Sequence, residues 1–154
     1  ATGVTMDKSA DFILYLDAAS NTTKKILASN SSFIERAMAL KAIPDTIELY
    51  TGDGIARMVV PSTLDGLKLN SIGAHVFTAG SSGSNTIMLY NETKSVDILT
   101  TGVIIEVSET DSSTSGTPPL ISANNTVNTA DVLRIDVDTK STGAKGLEVR
   151  MTFK

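Results

Sequence analysis

The sequence predicts an all-β body carried on a short N-terminal arm, and three observations lead there. From about residue 51 to the end, short runs alternate apolar and polar residues with a period of two, as half-buried antiparallel strands require. Clusters of Gly, Ser, Thr and Asn cut these runs at turn positions. Ser and Thr make up about a quarter of the 154 residues, while charged residues are only 19%. Such a neutral, hydroxyl-rich chain suits strands and turns better than long helices. At this length one domain with a small appendage is expected, large enough to bury a core without staples.

The arm comprises residues 1–44 and the body residues 45–154, with the division near Pro44. In the arm, residues 12–16 read as a strand, 17–23 as a loop and 24–27 as a short returning strand, giving a hairpin. Ser32 with Glu35 three residues later is a capping box, which predicts one short helix over 33–40. Phe33, Ala37 and Leu40 share a face of that helix, with Ile34 and Met38 beside them. A stripe so broad on two turns needs a partner surface, either on its own domain or on another chain. The arm is too small for a core of its own.

The body opens with a strand over 46–50. Gly52-Asp53-Gly54 follows as a hairpin signal, then a second strand over 55–60 that Pro61 stops. Residues 67–78 hold one or two strands with a break near Gly73, and 80–84 form a flexible Gly/Ser tip. Strands follow at 86–90, 96–99 and 103–107. Residues 108–128 are a long polar loop with Pro118-Pro119, expected to lie on the body or on a neighbour. In the strand over 131–138, Leu133, Ile135 and Val137 face inward. In the closing strand from about Lys145, Leu147, Val149, Met151 and Phe153 do the same. About eight strands at this spacing predict a β-sandwich or a jelly roll, which local pairing does not separate.

Composition removes several functions. There is no cysteine, hence no disulfide and no thiolate chemistry. A net charge of −4 and a pI near 4.9 give no electrostatic case for nucleic acid or an anionic membrane. No apolar run approaches the roughly 20 residues that span a bilayer. The first residues lack the pattern of a signal peptide, and Ala1 fits removal of an initiator Met, so a soluble chain made inside a cell is expected. Four Asn-x-Ser/Thr sequons, at Asn21, Asn30, Asn91 and Asn124, are what this composition produces by chance.

Chemistry finds little footing. His75, the only histidine, lies within a strand and reads as a hydrogen-bonded structural residue. Asp136 and Asp138 are two apart on one strand face and could bind Ca²⁺ weakly with loop oxygens. The plainer reading is a solvated face. No Gly-x-Ser-x-Gly elbow occurs, and neither Gly52-x-Gly54 nor residues 80–83 have the context of a phosphate loop. Aromatics are 5% and Trp is absent, which leaves a thin platform for stacking sugars. The expectation is a protein that is not an enzyme, without cofactor or metal, working by shape and surface.

Several segments resemble, in order, a domain of structural proteins of tailed bacteriophages. They are residues 59–67 (VVPSTLDGL), 77–87 (FTAGSSGSNTI), 96–101 (VDILTT), 131–138 (DVLRIDVD) and 144–153 (AKGLEVRMTF). Upstream, 10–17 (ADFILYLD) followed by 24–27 (KKIL) is similar to a short module near the start of phage head and tail appendage proteins. The resemblance implies a β-sandwich of jelly-roll-like form on an N-terminal arm, commonly a homotrimer. It also implies a virion structural protein, made in the host cytoplasm. The leading expectation is a capsid cement or decoration protein on the head surface, partnered by the major capsid protein and by itself. Phe12, Leu14, Phe33, Ile34 and Met38 of the arm would then make the contact with capsid or neighbour. The alternative is a small tail-fibre or receptor-binding protein, with neutral loops such as 81–85 and 112–125 touching host glycans.

Overall fold

The computed structural model describes residues 12–17, 22–27 and 35–154, and the chain divides into two compact units, Ala1–Glu35 and Arg36–Lys154. In the first unit β1 (Phe12–Asp17) pairs antiparallel with β2 (Thr22–Leu27), Phe12 opposite Leu27 and Asp17 opposite Thr22.

The second unit begins at Arg36 with β3 (Arg36–Glu48). This corrects the helix expected over 33–40. Phe33 and Ile34 lie outside the described residues, and 36–40 are strand. The same apolar positions also fit a period of two, with Met38, Leu40 and Ala42 half-buried between exposed Ala37, Ala39 and Lys41. Ladder pairing with β12 (Lys145–Phe153), from Arg36 opposite Phe153 to Leu40 opposite Val149, outweighs a helix propensity worth only tenths of a kcal/mol per residue. Pro44, expected at the arm–body division, lies inside β3. It is tolerated because β3 is an edge strand that bulges there: between the Ile43–Leu147 and Glu48–Lys145 pairs, residues 44–47 face Gly146 alone. Gly146 has φ +66°, and a Cβ on it would meet the Asp45 backbone at 2.8 Å.

The remaining strands are β4 (Gly52–Val59), β5 (Leu69–His75), β6 (Asn85–Asn91), β7 (Val96–Asp97), β8 (Leu99–Thr101), β9 (Val103–Ile105), β10 (Leu120–Ile121) and β11 (Val132–Thr139). They form antiparallel sheets, so the body is all-β. One sheet has the order β3-β12-β5. A second has the order β4-β11-β6-β7, with β9 also paired to β6, and β8 pairs with β10. The Asp53-Gly54 hairpin is therefore corrected: β3 and β4 are consecutive but belong to different sheets. Gly54 (φ +69°) serves a different purpose. Its N–H donates to the Asp136 carboxylate at 2.6 Å, and a Cβ would collide with the Arg57 guanidinium.

Alternation places the core as expected. Leu147, Val149, Met151 and Phe153 of β12 join Leu133, Ile135 and Val137 of β11, Ile87 and Leu89 of β6, and Leu69 and Ile72 of β5 in one hydrophobic cluster. Each such side chain contributes roughly 1.5–3 kcal/mol by leaving water. No break occurs at Gly73, where β5 runs continuously. The 80–84 segment is pinned: Ser81 N–H donates to the Thr142 carbonyl, Thr142 N–H to that of Ser82, and Ser108 N–H to that of Gly80. The 108–128 loop lies on the body, carrying a 3-10 turn (Ser112–Thr114), β10 and bridges from Asp111 to His75 and Thr126 to Lys68.

Replacing Phe153, fully buried at the end of β12, by Ala is expected to cost about 3–5 kcal/mol in urea denaturation. Val59→Ala, at a site 64% exposed, should change stability by less than about 0.5 kcal/mol.

Candidate functional site

Charged side chains of the body gather in three places, where the fold brings together residues distant in sequence. The first lies on the polar face of β4, β11 and β6. Cross-strand register sets Arg134 beside Arg57 and Tyr90. Like charges so placed require carboxylates between them, and these are present. Arg57 Nε donates to both oxygens of Glu92 at 3.0 and 3.1 Å. Arg134 meets Asp136 with Nε 2.7 Å from Oδ1 and Nη2 2.7 Å from Oδ2, and has Glu92 and Asp53 at 3.8 and 3.5 Å. Its guanidinium also stacks over Tyr90 at 4.4 Å. The hydrogen bond and charge of Arg57 hold Glu92 below the usual carboxylate range. Asp136 is buried and held by Arg134 and the Gly54 amide, so it is not part of a solvated face. Asp138 lies at the surface, and loss of part of its hydration, reinforced by the charges of Asp136, Asp53 and Asp97, raises its carboxyl above the ordinary value. Among the described residues no group of three or more His, Cys, Asp or Glu is gathered as metal ligands would be.

The second place is the outer face of β3, β12 and β5. Small residues, Ala37 and Ala39 of β3 with Ser71 and Gly73 of β5, flank Thr152 and Arg150 of β12 and leave a shallow trough of about 640 Å³. At one end the 108–128 loop delivers Asp111, which accepts from Arg150 and stands 3.3 Å from His75 Nδ1. Burial alone would raise the Asp111 carboxyl. The Ser113 N–H, Arg150 and His75 outweigh it and hold the group at about 2. The His75 and Phe77 rings meet in a T-shaped contact with centroids 5.1 Å apart, and the Lys41 ammonium sits 3.6 Å over the Phe77 ring while also pairing with Asp45.

The third is a corner around Asp131, a residue only 4% exposed. It accepts from Asn91 Nδ2 and Asn128 N–H at 2.9 Å each and lies 3.0 Å from Lys94 Nζ. Lys94 also donates to the Thr126 carbonyl and Asn128 Oδ1. Burial pushes the Asp131 carboxyl up, but the Asn128, Asn91 and Lys94 donors bring it below the ordinary value. These contacts clamp the start of β11 to the β6–β7 turn and are structural.

Of the residues expected to contact a capsid or neighbour, Phe12 and Leu14 lie in β1, and Phe33 and Ile34 fall outside the described residues. Met38 is in β3, half-buried against the body's own core. His75 has the hydrogen-bonding and ring partners of a structural histidine. Its partner Asp111 escaped sequence reasoning because it arrives on a loop. The only local signal was Asp111 followed by Ser-Ser, where its carboxylate accepts the Ser113 N–H. No family model matches the chain, and no curated protein matches it.

Acid should unfold this body through these carboxylates. Asp111 and Asp131 bind protons less readily when folded, so their contribution is complete above the ordinary value of 3.8. For Asp111 it is lost as the pH falls towards about 2. Asp138, shifted upward, works weakly in the opposite sense. Thermal unfolding followed against pH should show the melting temperature falling over that interval. Asp131→Asn should cost about 1–3 kcal/mol at neutral pH and flatten the acid dependence.

Proposed function

We propose that this chain is a structural protein of a tailed-phage particle, a cement protein that binds the assembled head and stabilises it without catalysing a reaction. The observation that carries this reading is internal neutralisation. Arg57, Arg134, Glu92 and Asp136 pair with one another, Arg150 with Asp111, and Lys94 with Asp131. Clusters so paired organise the fold and leave an exterior rich in hydroxyl groups, which suits contact by shape better than chemistry on a substrate. The sequence resemblance supplies the particle; the major capsid protein and further copies of this chain are the proposed partners, with no nucleic acid or membrane.

The proposal includes a jelly-roll-like β-sandwich. Support comes from the strand order: successive strands β3, β4, β5 and β6 alternate between the two larger sheets, and β12 and β11 return beside β3 and β4. Antiparallel pairs that wrap together in this way generate that architecture. A cement protein acts by binding only the assembled shell, so the shell gains stability with occupancy. The pinned 80–84 and 108–128 loops favour a second reading, a tail appendage contacting host glycans, since loops already ordered lose little entropy on binding.

Quantitative mass spectrometry of purified particles separates the two. Copy number comparable to the major capsid protein is expected for the cement role, together with co-pelleting of the purified protein with mature shells. A few to a few tens of copies would favour the appendage, and absence from the particle would refute both.

A further inference from the structure

We propose that two copies of this chain pair through the open edge of β3, antiparallel about a two-fold axis, so that their sheets join into one. Among the described residues β3 pairs only with β12, and no backbone bond reaches its other edge. In an antiparallel strand every second residue turns both its N–H and its C=O to that edge, and only another extended backbone satisfies such a row. Edge strands are ordinarily blunted by proline, bulges or charge. Here the proline and the longer bulge come after Ile43, and a one-residue shift leaves Ala42 unpaired between the Lys41–Glu148 and Ile43–Leu147 pairs, so 36–41 are the regular, unprotected stretch.

The side chains of this stretch fit a second copy of itself. Met38, Leu40 and Ala42 rest on the core but stay partly open, an apolar strip that a neighbouring strand would cover. On the opposite face Ala37 and Ala39 line the shallow trough, and no bulky side chain stands over the edge before Lys41. Pairing that keeps like faces together admits only registers in which the two opposed residue numbers sum to an even value. The register centred on Ala39 uses 37–41 of the regular stretch. It sets Met38 against the second copy's Leu40 and Ala37 against its Lys41, so no like charges oppose each other. Centring on Lys41 would oppose two ammonium groups. The resulting symmetry is two-fold, unlike the three-fold association that the sequence resemblance implies, and the inference stands whether or not the protein belongs to a particle.

Sedimentation velocity on the full chain tests it. A dimer that dissociates on dilution through the micromolar range is expected, with β3 amides protected from hydrogen exchange at high concentration and exposed on dilution. Ala37 is exposed, so Ala37→Glu and Ala37→Lys should both keep the wild-type circular dichroism. Glu would face the second copy's Lys41 with opposite charge and Lys with like charge, so the dissociation constants should differ on the order of tenfold, Glu the tighter. A monomer throughout, a trimer, equal dimers from both variants or concentration-independent exchange in β3 would each overturn the proposal.

Discussion

The body depends on the position of β12 between β3 and β5. Among the described residues the closing strand is the only link between these two, so their sheet forms once the C-terminal residues have returned. Its inward residues Leu147, Val149, Met151 and Phe153 are essentially without solvent contact, and its outward residues carry the polar register of the opposite face. One strand thus supplies a ladder on both sides and a large part of the core. A second strand, β11, holds the corresponding place between β4 and β6. Both central strands come late in the chain while their flanking partners come early. The fold is therefore dominated by long-range contacts, a topology in which loop-closure entropy precedes the gain from burial.

Electrostatics follows from the same geometry. Strand register brings Arg57 and Arg134 side by side and Arg150 alongside Gly73, and the fold answers each cation with a carboxylate from elsewhere in the chain. Glu92 comes from the turn after β6, Asp136 from β11 itself and Asp111 from the long loop. Exposed pairs such as Arg57–Glu92 add little stability in water. Asp131 is different: it is nearly sealed from solvent, and each of its donors comes from a segment that must be held in place. Its value lies in fixing the start of β11, since an unpaired carboxylate there would cost several kcal/mol.

The surface follows from what these pairs leave over. Large apolar side chains on the exterior, among them Ile47, Tyr50, Phe77 and Leu120, occur singly or in small groups, as on most folded chains. The outer edge of β3 stands apart because, among the described residues, its backbone groups have no strand partner, and their hydrogen-bonding demand specifies the geometry of what can cover it.

Alternation along 131–138 and 145–153 was legible in the sequence, because period two with one buried face is a local property that pairing does not alter. So were the approximate positions of β4, β6, β7, β9 and β11, but not the opening of the body, where 46–48 belong to a strand that begins at Arg36. Residues 36–40 were not legible. Their apolar spacing satisfies a helix and a strand alike, and only pairing with β12, a hundred residues away in the chain, selects between them. The same holds for Asp53-Gly54, whose turn chemistry is compatible with a hairpin but whose flanking strands are drawn into different sheets by β12 and β11. By itself the sequence determined which apolar residues of β11 and β12 face inward, since that follows from side-chain chemistry within a few residues. Tertiary structure alone decided which strands meet, and through them which charges neutralise one another, because those depend on contacts between segments that no local pattern encodes.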